Sequence, residues 1–168
     1  MHRYNTVWEQ TKALERVEGT RAAAIGVSGD YLKRAISLVE NGATVLCVDV
    51  AHAHHALMRH ALSMLRSTFG STIHIVAGNV ATLEAFNDLA DWGADSIRVG
   101  IGGGSICSTR IQTGHGIPTL QSIIECSKTD REAKIIADGG IKSSGDIVKA
   151  LAAGADFVML GSMLAGTD

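Results

Sequence analysis

Cys107 ends a run dominated by glycine: Val99-Gly100-Ile101-Gly102-Gly103-Gly104-Ser105-Ile106-Cys107, followed by Ser108-Thr109-Arg110. A cysteine attacks as its thiolate, and a guanidinium nearby favours that form. Glycines let the backbone bend sharply and come close to a ligand. Nucleophilic chemistry at Cys107 is therefore the sharpest reading of this stretch. The bland alternative is a glycine loop beside a buried, inert thiol.

Two further glycine turns suit a phosphorylated ligand. They are Ala137-Asp138-Gly139-Gly140-Ile141-Lys142 and Met159-Leu160-Gly161-Ser162-Met163-Leu164-Ala165-Gly166. Backbone N–H groups at such turns cradle phosphate, and a carboxylate such as Asp138 holds ribose hydroxyls. FMN enzymes and several isomerases share this arrangement. Asp49 is a carboxylate at the end of an apolar run, and Asn79 stands in a similar place, as a ligand contact or a turn former. Arg98 is a charge inside a strand-like run, either a site residue or one that snorkels outward. His52, His54, His55 and His60 invite a metal reading, but no carboxylate completes a ligand set, and a solvated helix start accounts for them better.

These residues need elements to hold them. Apolar runs of strand length occur at Ala22–Val27, Thr44–Val50, Ile73–Ala77, Ser96–Gly100, Lys134–Ala137 and Phe157–Leu160. Being apolar almost throughout, they suit parallel strands covered on both faces. Helical spacing fills Asp30–Glu40, Ala53–Phe69, Leu83–Trp92 and Gly145–Ala153. Asn41-Gly42-Ala43, Trp92-Gly93-Ala94-Asp95 and Ala153-Gly154-Ala155-Asp156 repeat one helix-ending signal. The repetition indicates a βα unit used again and again, in a barrel or a doubly wound sheet. A complete eight-stranded barrel needs at least about 200 residues, so the 168 residues point to a partial one. All the candidate site residues then follow strands, at the face where barrel active sites lie.

Together the stretches resemble the IMP dehydrogenase/GMP reductase family. Gly102 to Arg110 closely resembles its GxGSxCxTR signature, the most specific of the matches. Val76-Ala77-Gly78-Asn79-Val80, Ala137 to Ile141 and Leu160 to Gly166 are similar to its other landmarks, in order, across nearly the whole chain. The resemblance implies a (β/α)8 TIM barrel with strands three to eight present, residues 1–168 forming one partial domain. It implies that Cys107 attacks C2 of a purine nucleoside monophosphate, with Thr109 positioning the reacting group or water. Ser105, Asp138, Gly139, Gly140, Gly161 and Ser162 would hold ribose and phosphate. Asp49, Asn79, Arg98 and Gly100 would lie towards a nicotinamide cofactor, and carbonyls of Gly102, Gly104 and Cys107 would line a potassium site. A homotetramer is the family's implied assembly.

The direction of the reaction has two readings. Ser105-Ile106-Cys107 and Gly140-Ile141-Lys142 look more like the dehydrogenase, which oxidises IMP to XMP with NAD. The short link from Tyr4 to Ala22 leaves no room for a CBS pair, which favours GMP reductase, with NADPH as reductant, or a compact dehydrogenase. An FMN-dependent barrel oxidoreductase would share the phosphate turns without needing Cys107, and flavin absorbance would reveal it. A non-catalytic fragment is the remaining alternative, and a partial barrel is expected to be inactive alone. A net charge of −2 does not suggest nucleic acid. There is no apolar run of about 20 residues to cross a membrane. The start, Met1-His2-Arg3-Tyr4-Asn5, does not read as a signal peptide. Three cysteines without a CxxC pair fit a reducing, cytoplasmic setting.

Overall fold

The computed structural model describes residues 3–104 and 107–167. Helix α1 (Val7–Glu15) leads into β1 (Ala22–Ile25). Then follow α2 (Tyr31–Glu40), β2 (Val45–Asp49), α3 (Ala56–Phe69), β3 (His74–Val80), α4 (Leu83–Asp91) and β4 (Ser96–Val99). Two helices, α5 (Thr109–Thr113) and α6 (Thr119–Cys126), precede β5 (Lys134–Asp138). Helix α7 (Ser144–Ala152), β6 (Phe157–Met159) and a 3₁₀ turn at Ser162–Leu164 complete the order.

All six expected strands are present. They form one sheet in the order β1-β2-β3-β4-β5-β6, every neighbour parallel. This order decides between the two architectures left open by periodicity. A doubly wound sheet reverses strand order at a switch point. A strictly sequential order with right-handed crossovers keeps the helices on one face and curls the sheet towards a barrel. The chain is thus an arc of a (β/α)8-type barrel, with β1 and β6 as its edges.

Alternation along the strands separates two faces. Ile25, Leu46, Val48, Ile75, Ala77, Ile97, Val99, Ile135 and Ala137 are buried under the helices. The intervening residues line the concave face: Cys47 and Asp49 on β2, Val76 and Gly78 on β3, Ser96 and Arg98 on β4, Ile136 and Asp138 on β5. On β6 this face carries Phe157 and Met159, both substantially exposed. Among the described residues no helix is long and apolar enough to cross a membrane.

The repeated helix-ending signal has one physical form. Gly42, Gly93 and Gly154 all adopt positive φ. The alanine after each donates back into its helix, Ala43 to Leu38, Ala94 to Leu89 and Ala155 to Ala150, which is the Schellman pattern. The aspartates that follow two of them then hold the preceding strand. Asp95 accepts from the Ile75 N–H at 2.7 Å and Asp156 from the Ile135 N–H at 2.8 Å. One local sequence ends a helix and sets the height at which the next strand enters the sheet.

Candidate active site

Cys107 lies just past β4, at the C-terminal ends of the strands. Glycines place it there. A Cβ on Gly100, whose φ is +142°, would overlap the carbonyl oxygen of Asp138. A Cβ on Gly139, φ +99°, would lie 2.9 Å from the backbone of Gly103 and Gly104. The cysteine loop and the Asp138-Gly139-Gly140 turn thus pack backbone against backbone, at a separation no side chain permits. The Cys107 N–H closes the loop on the Gly104 carbonyl at 3.1 Å.

The three thiols sit in different environments. The Cys107 pKa is lowered, first by a hydrogen bond from the Thr109 hydroxyl, then by the Thr109 N–H, with Arg110 and the Gly102 N–H adding to it. Burial pushes the Cys47 thiol up against the opposing pull of Arg98. Burial also pushes Cys126 up, to about 12, with Glu125 adding to it. Cys107 is the thiol whose surroundings favour the nucleophilic form.

Four strands contribute to a polar network beneath this loop. Arg98 donates from Nε to Asp138 Oδ2 at 3.1 Å, from Nη2 to Asp49 Oδ1 at 2.7 Å and to Asn79 Oδ1 at 2.6 Å, and from Nη1 to Cys47 Sγ at 3.2 Å. Asn79 Nδ2 donates to Asp138 Oδ2 at 2.8 Å and to the Gly100 carbonyl at 2.7 Å. Asn79 reaches inward because the β3–β4 register shifts between Gly78 and Val80, and a bulge re-aims a side chain. Gly78 pairs with Arg98 across the sheet. A Cβ there would lie 2.6 Å from the Arg98 Cβ, so the absent side chain makes room for the guanidinium.

Two adjoining hollows open above the network. One, of about 400 Å³, is lined by Asp49, Asn79, Arg98, Gly100, Gly102, Cys107 and Thr109, with Arg3 and Tyr4 at its side. The other, of about 420 Å³, is lined by Gly140, Ile141, Leu160, Gly161 and Ser162. Gly104, Asp138 and Gly139 line both. The sequence-predicted site residues therefore gather around one composite cleft. Ser105 lies outside the described residues.

The histidines make other connections. His54 Nε2 bonds Asp88 at 2.8 Å and its ring stacks on Trp92. His55 Nδ1 caps α3 through the Met58 N–H, while His52 and His60 are exposed. Among the described residues no group of histidine, cysteine and carboxylate side chains could hold a metal ion. Sequence reading passed over Cys47 and Gly78. The i, i+2 spacing of Cys47 and Asp49 on one strand was the available signal for the first.

Comparison with known proteins gives a consistent picture. Residues 8–168 match the family model described as "IMP dehydrogenase / GMP reductase domain". The GMP reductase of Leishmania donovani is 50% identical over 87% of this chain and 30% of its own length. The inosine-5'-monophosphate dehydrogenase of Mycobacterium tuberculosis is 51% identical over 86% of this chain and 28% of its own length. The chain thus spans about a third or less of these curated relatives. Among solved structures, inosine 5' monophosphate dehydrogenase from Legionella pneumophila superposes with a TM-score of 0.92 at 52% identity, covering 99% of this chain and 50% of that one. The GMP reductase of Trypanosoma brucei in complex with guanosine 5'-monophosphate gives 0.83 at 48% identity, covering 88% and 31%.

Proposed function

Because the chain belongs to the IMP dehydrogenase/GMP reductase domain family, we propose that its composite cleft binds a purine nucleoside 5'-monophosphate and that Cys107 is the nucleophile that attacks purine C2. The observation that carries this reading is the depressed thiol pKa of Cys107 at the mouth of a cleft that continues into the Gly139-Gly140 and Gly161-Ser162 turns. In this reading residues 1–168 form one barrel-type domain.

In the dehydrogenase direction the Cys107 sulfur bonds to C2 of IMP, the C2 hydride leaves, and water then replaces sulfur to give XMP. In the reductase direction sulfur adds to C2 of GMP, ammonia leaves, and a hydride delivered to C2 expels the thiolate to give IMP. Forming the C–S bond divides one hard substitution into two easier steps. A nicotinamide cofactor, NAD for oxidation or NADPH for reduction, supplies the hydride acceptor or donor. The Thr109 hydroxyl and N–H favour the thiolate form of Cys107. Asp138 orients the ribose hydroxyls, and the glycine turns together with Ser162 receive the phosphate through N–H groups. Ser105 is proposed to join them. Asp49, Asn79 and Gly100 face the cofactor side of the cleft.

The carbonyls of Gly102, Gly104 and Cys107 are uncharged oxygens close together in the chain, a donor chemistry that suits potassium. The Gly104 carbonyl already accepts from the Cys107 N–H, so it would share its second lone pair. A homotetramer in the cytoplasm is the assembly and location this reading carries.

We propose IMP oxidation as the reaction, and the 50% identity to a GMP reductase keeps GMP reduction as the second reading. The test is labelling with 6-chloropurine riboside 5'-monophosphate, located by peptide mass spectrometry. An adduct at Cys107, blocked by IMP or GMP, is expected. Labelling confined to Cys47 or Cys126 would overturn the reading. Turnover of IMP with NAD against GMP with NADPH, measured in a complete barrel that contains residues 1–168, separates the two directions.

A further inference from the structure

The concave face of a (β/α)8 barrel is ordinarily filled by branched apolar side chains. Here an arginine sits in its middle, its side chain 15% exposed. A guanidinium has five N–H donors. Four are directed at Asp138 on β5, Asn79 on β3, and Asp49 and Cys47 on β2: one on Nε, two on Nη2 and one on Nη1. A side chain so engaged within the protein has little left for a ligand. Its effect on a ligand passes through the groups it holds.

The two carboxylates reach different extents of the cleft. Asp138 lines both hollows, while Asp49 lines only the one with Cys107. Both bonds reaching Asp138, from Arg98 and from Asn79, converge on Oδ2. Among the described residues Oδ1 receives none, so the carboxylate is locked through one oxygen and offers the other to the cleft.

We propose that Arg98 is a positioning residue that fixes Asp138 for the ribose of the nucleotide and Asp49 for the second ligand, and is itself a ligand of neither. The proposal rests on the nucleotide-site reading above and departs from it in the role of Arg98. Lysine keeps the charge but has no counterpart of Nε–H and no planar fork, so it cannot hold two carboxylates in fixed directions. Gly78→Ala disturbs the same guanidinium from outside, because the added methyl meets the Arg98 Cβ at 2.6 Å.

The experiment measures equilibrium binding of IMP and of 2',3'-dideoxy-IMP to the wild-type chain, to Arg98→Lys and to Gly78→Ala, with the melting temperature of each. A hydrogen bond to a charged group shifts a binding constant by roughly tenfold to a hundredfold. The wild type should prefer the ribonucleotide by about that factor. Both variants should lose most of the preference while binding the dideoxynucleotide within about threefold of wild type. General loosening of the fold would weaken both nucleotides alike and leave the ratio intact. Wild-type preference with an unchanged ratio in whichever variants melt cooperatively overturns the role of Arg98 alone. A wild-type chain that binds neither nucleotide overturns the function reading and this proposal with it.

Discussion

The Thr109 hydroxyl can be removed with little change of shape by Thr109→Val, which replaces it with a methyl group. This hydroxyl makes the largest contribution to lowering the Cys107 pKa, ahead of the Thr109 N–H, Arg110 and the Gly102 N–H. A hydrogen bond to a charged group is worth about 1.5–3 kcal/mol. One pKa unit corresponds to about 1.4 kcal/mol. Cys107 is half-buried, so water replaces part of the lost bond and the lower end applies. The variant pKa should rise, by the equivalent of about 1.5 kcal/mol. Below both pKa values the thiolate fraction falls about tenfold. A more basic thiolate is intrinsically more reactive, with a Brønsted slope near 0.45, which returns a factor of about three. Net alkylation by iodoacetamide should therefore slow about three- to fourfold at the acid end. At the alkaline end, where both thiols are ionised, the variant should be about threefold faster. The two pH–rate curves must cross. Peptide-resolved mass spectrometry reads the rate at Cys107 alone, and Thr109→Ser should follow wild type. Parallel curves with the same midpoint would show that the hydroxyl does not support the thiolate and that Arg110 and the backbone carry the shift.

In the native wild-type chain the order of alkylation near neutral pH should be Cys107 first, Cys47 far behind and Cys126 last, since burial raises the latter two and takes Cys126 to about 12; equal rates, read by the same peptide method, would contradict the environments described. Asp95→Ala removes the acceptor of the Ile75 N–H and the partner of Arg66, and should cost about 1–3 kcal/mol in urea unfolding. Asp156→Ala, which serves the Ile135 N–H and a Lys134 ammonium 3.5 Å away, should cost less, and the reverse ranking would refute the account of these aspartates. Gly100→Ala introduces a Cβ that overlaps the Asp138 carbonyl at positive φ, and should destabilise by at least about 2 kcal/mol while abolishing nucleotide binding; a stable variant that binds normally would show that the two loops can move apart.

The six strands were legible because burial on both faces makes each a short, nearly unbroken apolar run. Their order was not, since a barrel arc and a doubly wound sheet bury the same residues. Three helices escaped the sequence reading: α5 has only 5 residues, and the two longer ones escaped for different reasons. Helix α1 turns Gln10, Thr11 and Leu14 inward, so two of its three buried residues are polar and no apolar stripe marks it. Gln10 is satisfied by accepting from Arg34 at 2.8 Å and donating to the Ala24 carbonyl at 2.9 Å, partners invisible before α2 and β1 are placed. Helix α6 does carry a signal, with Pro118 at its start and Leu120, Ile123 and Ile124 in helical spacing. It is only 8 residues long, too short for the pattern to stand out, and Leu120 and Ile124 remain exposed.

The site divides along the same line. Residues that act through the backbone at a strand end announce themselves, because only glycine permits the close approach of Gly100 and Gly139 to the opposite loop. The network below them is set by stagger. Asp49 pairs with Gly78, Gly78 with Arg98, and Arg98 with Ile136, so Asp138 stands one step higher on the concave face than Asp49. A guanidinium long enough to span that step can hold both carboxylates at once, and a bulge at Asn79 supplies the bond that fixes the upper one. None of these relations has a sequence period. Each depends on how four strands are offset, which the Gly-Ala-Asp helix endings help to set by anchoring strand starts at Ile75 and Ile135. The charge of Arg98 inside an apolar run was the one local clue, and it indicated a site without indicating which groups the arginine would serve.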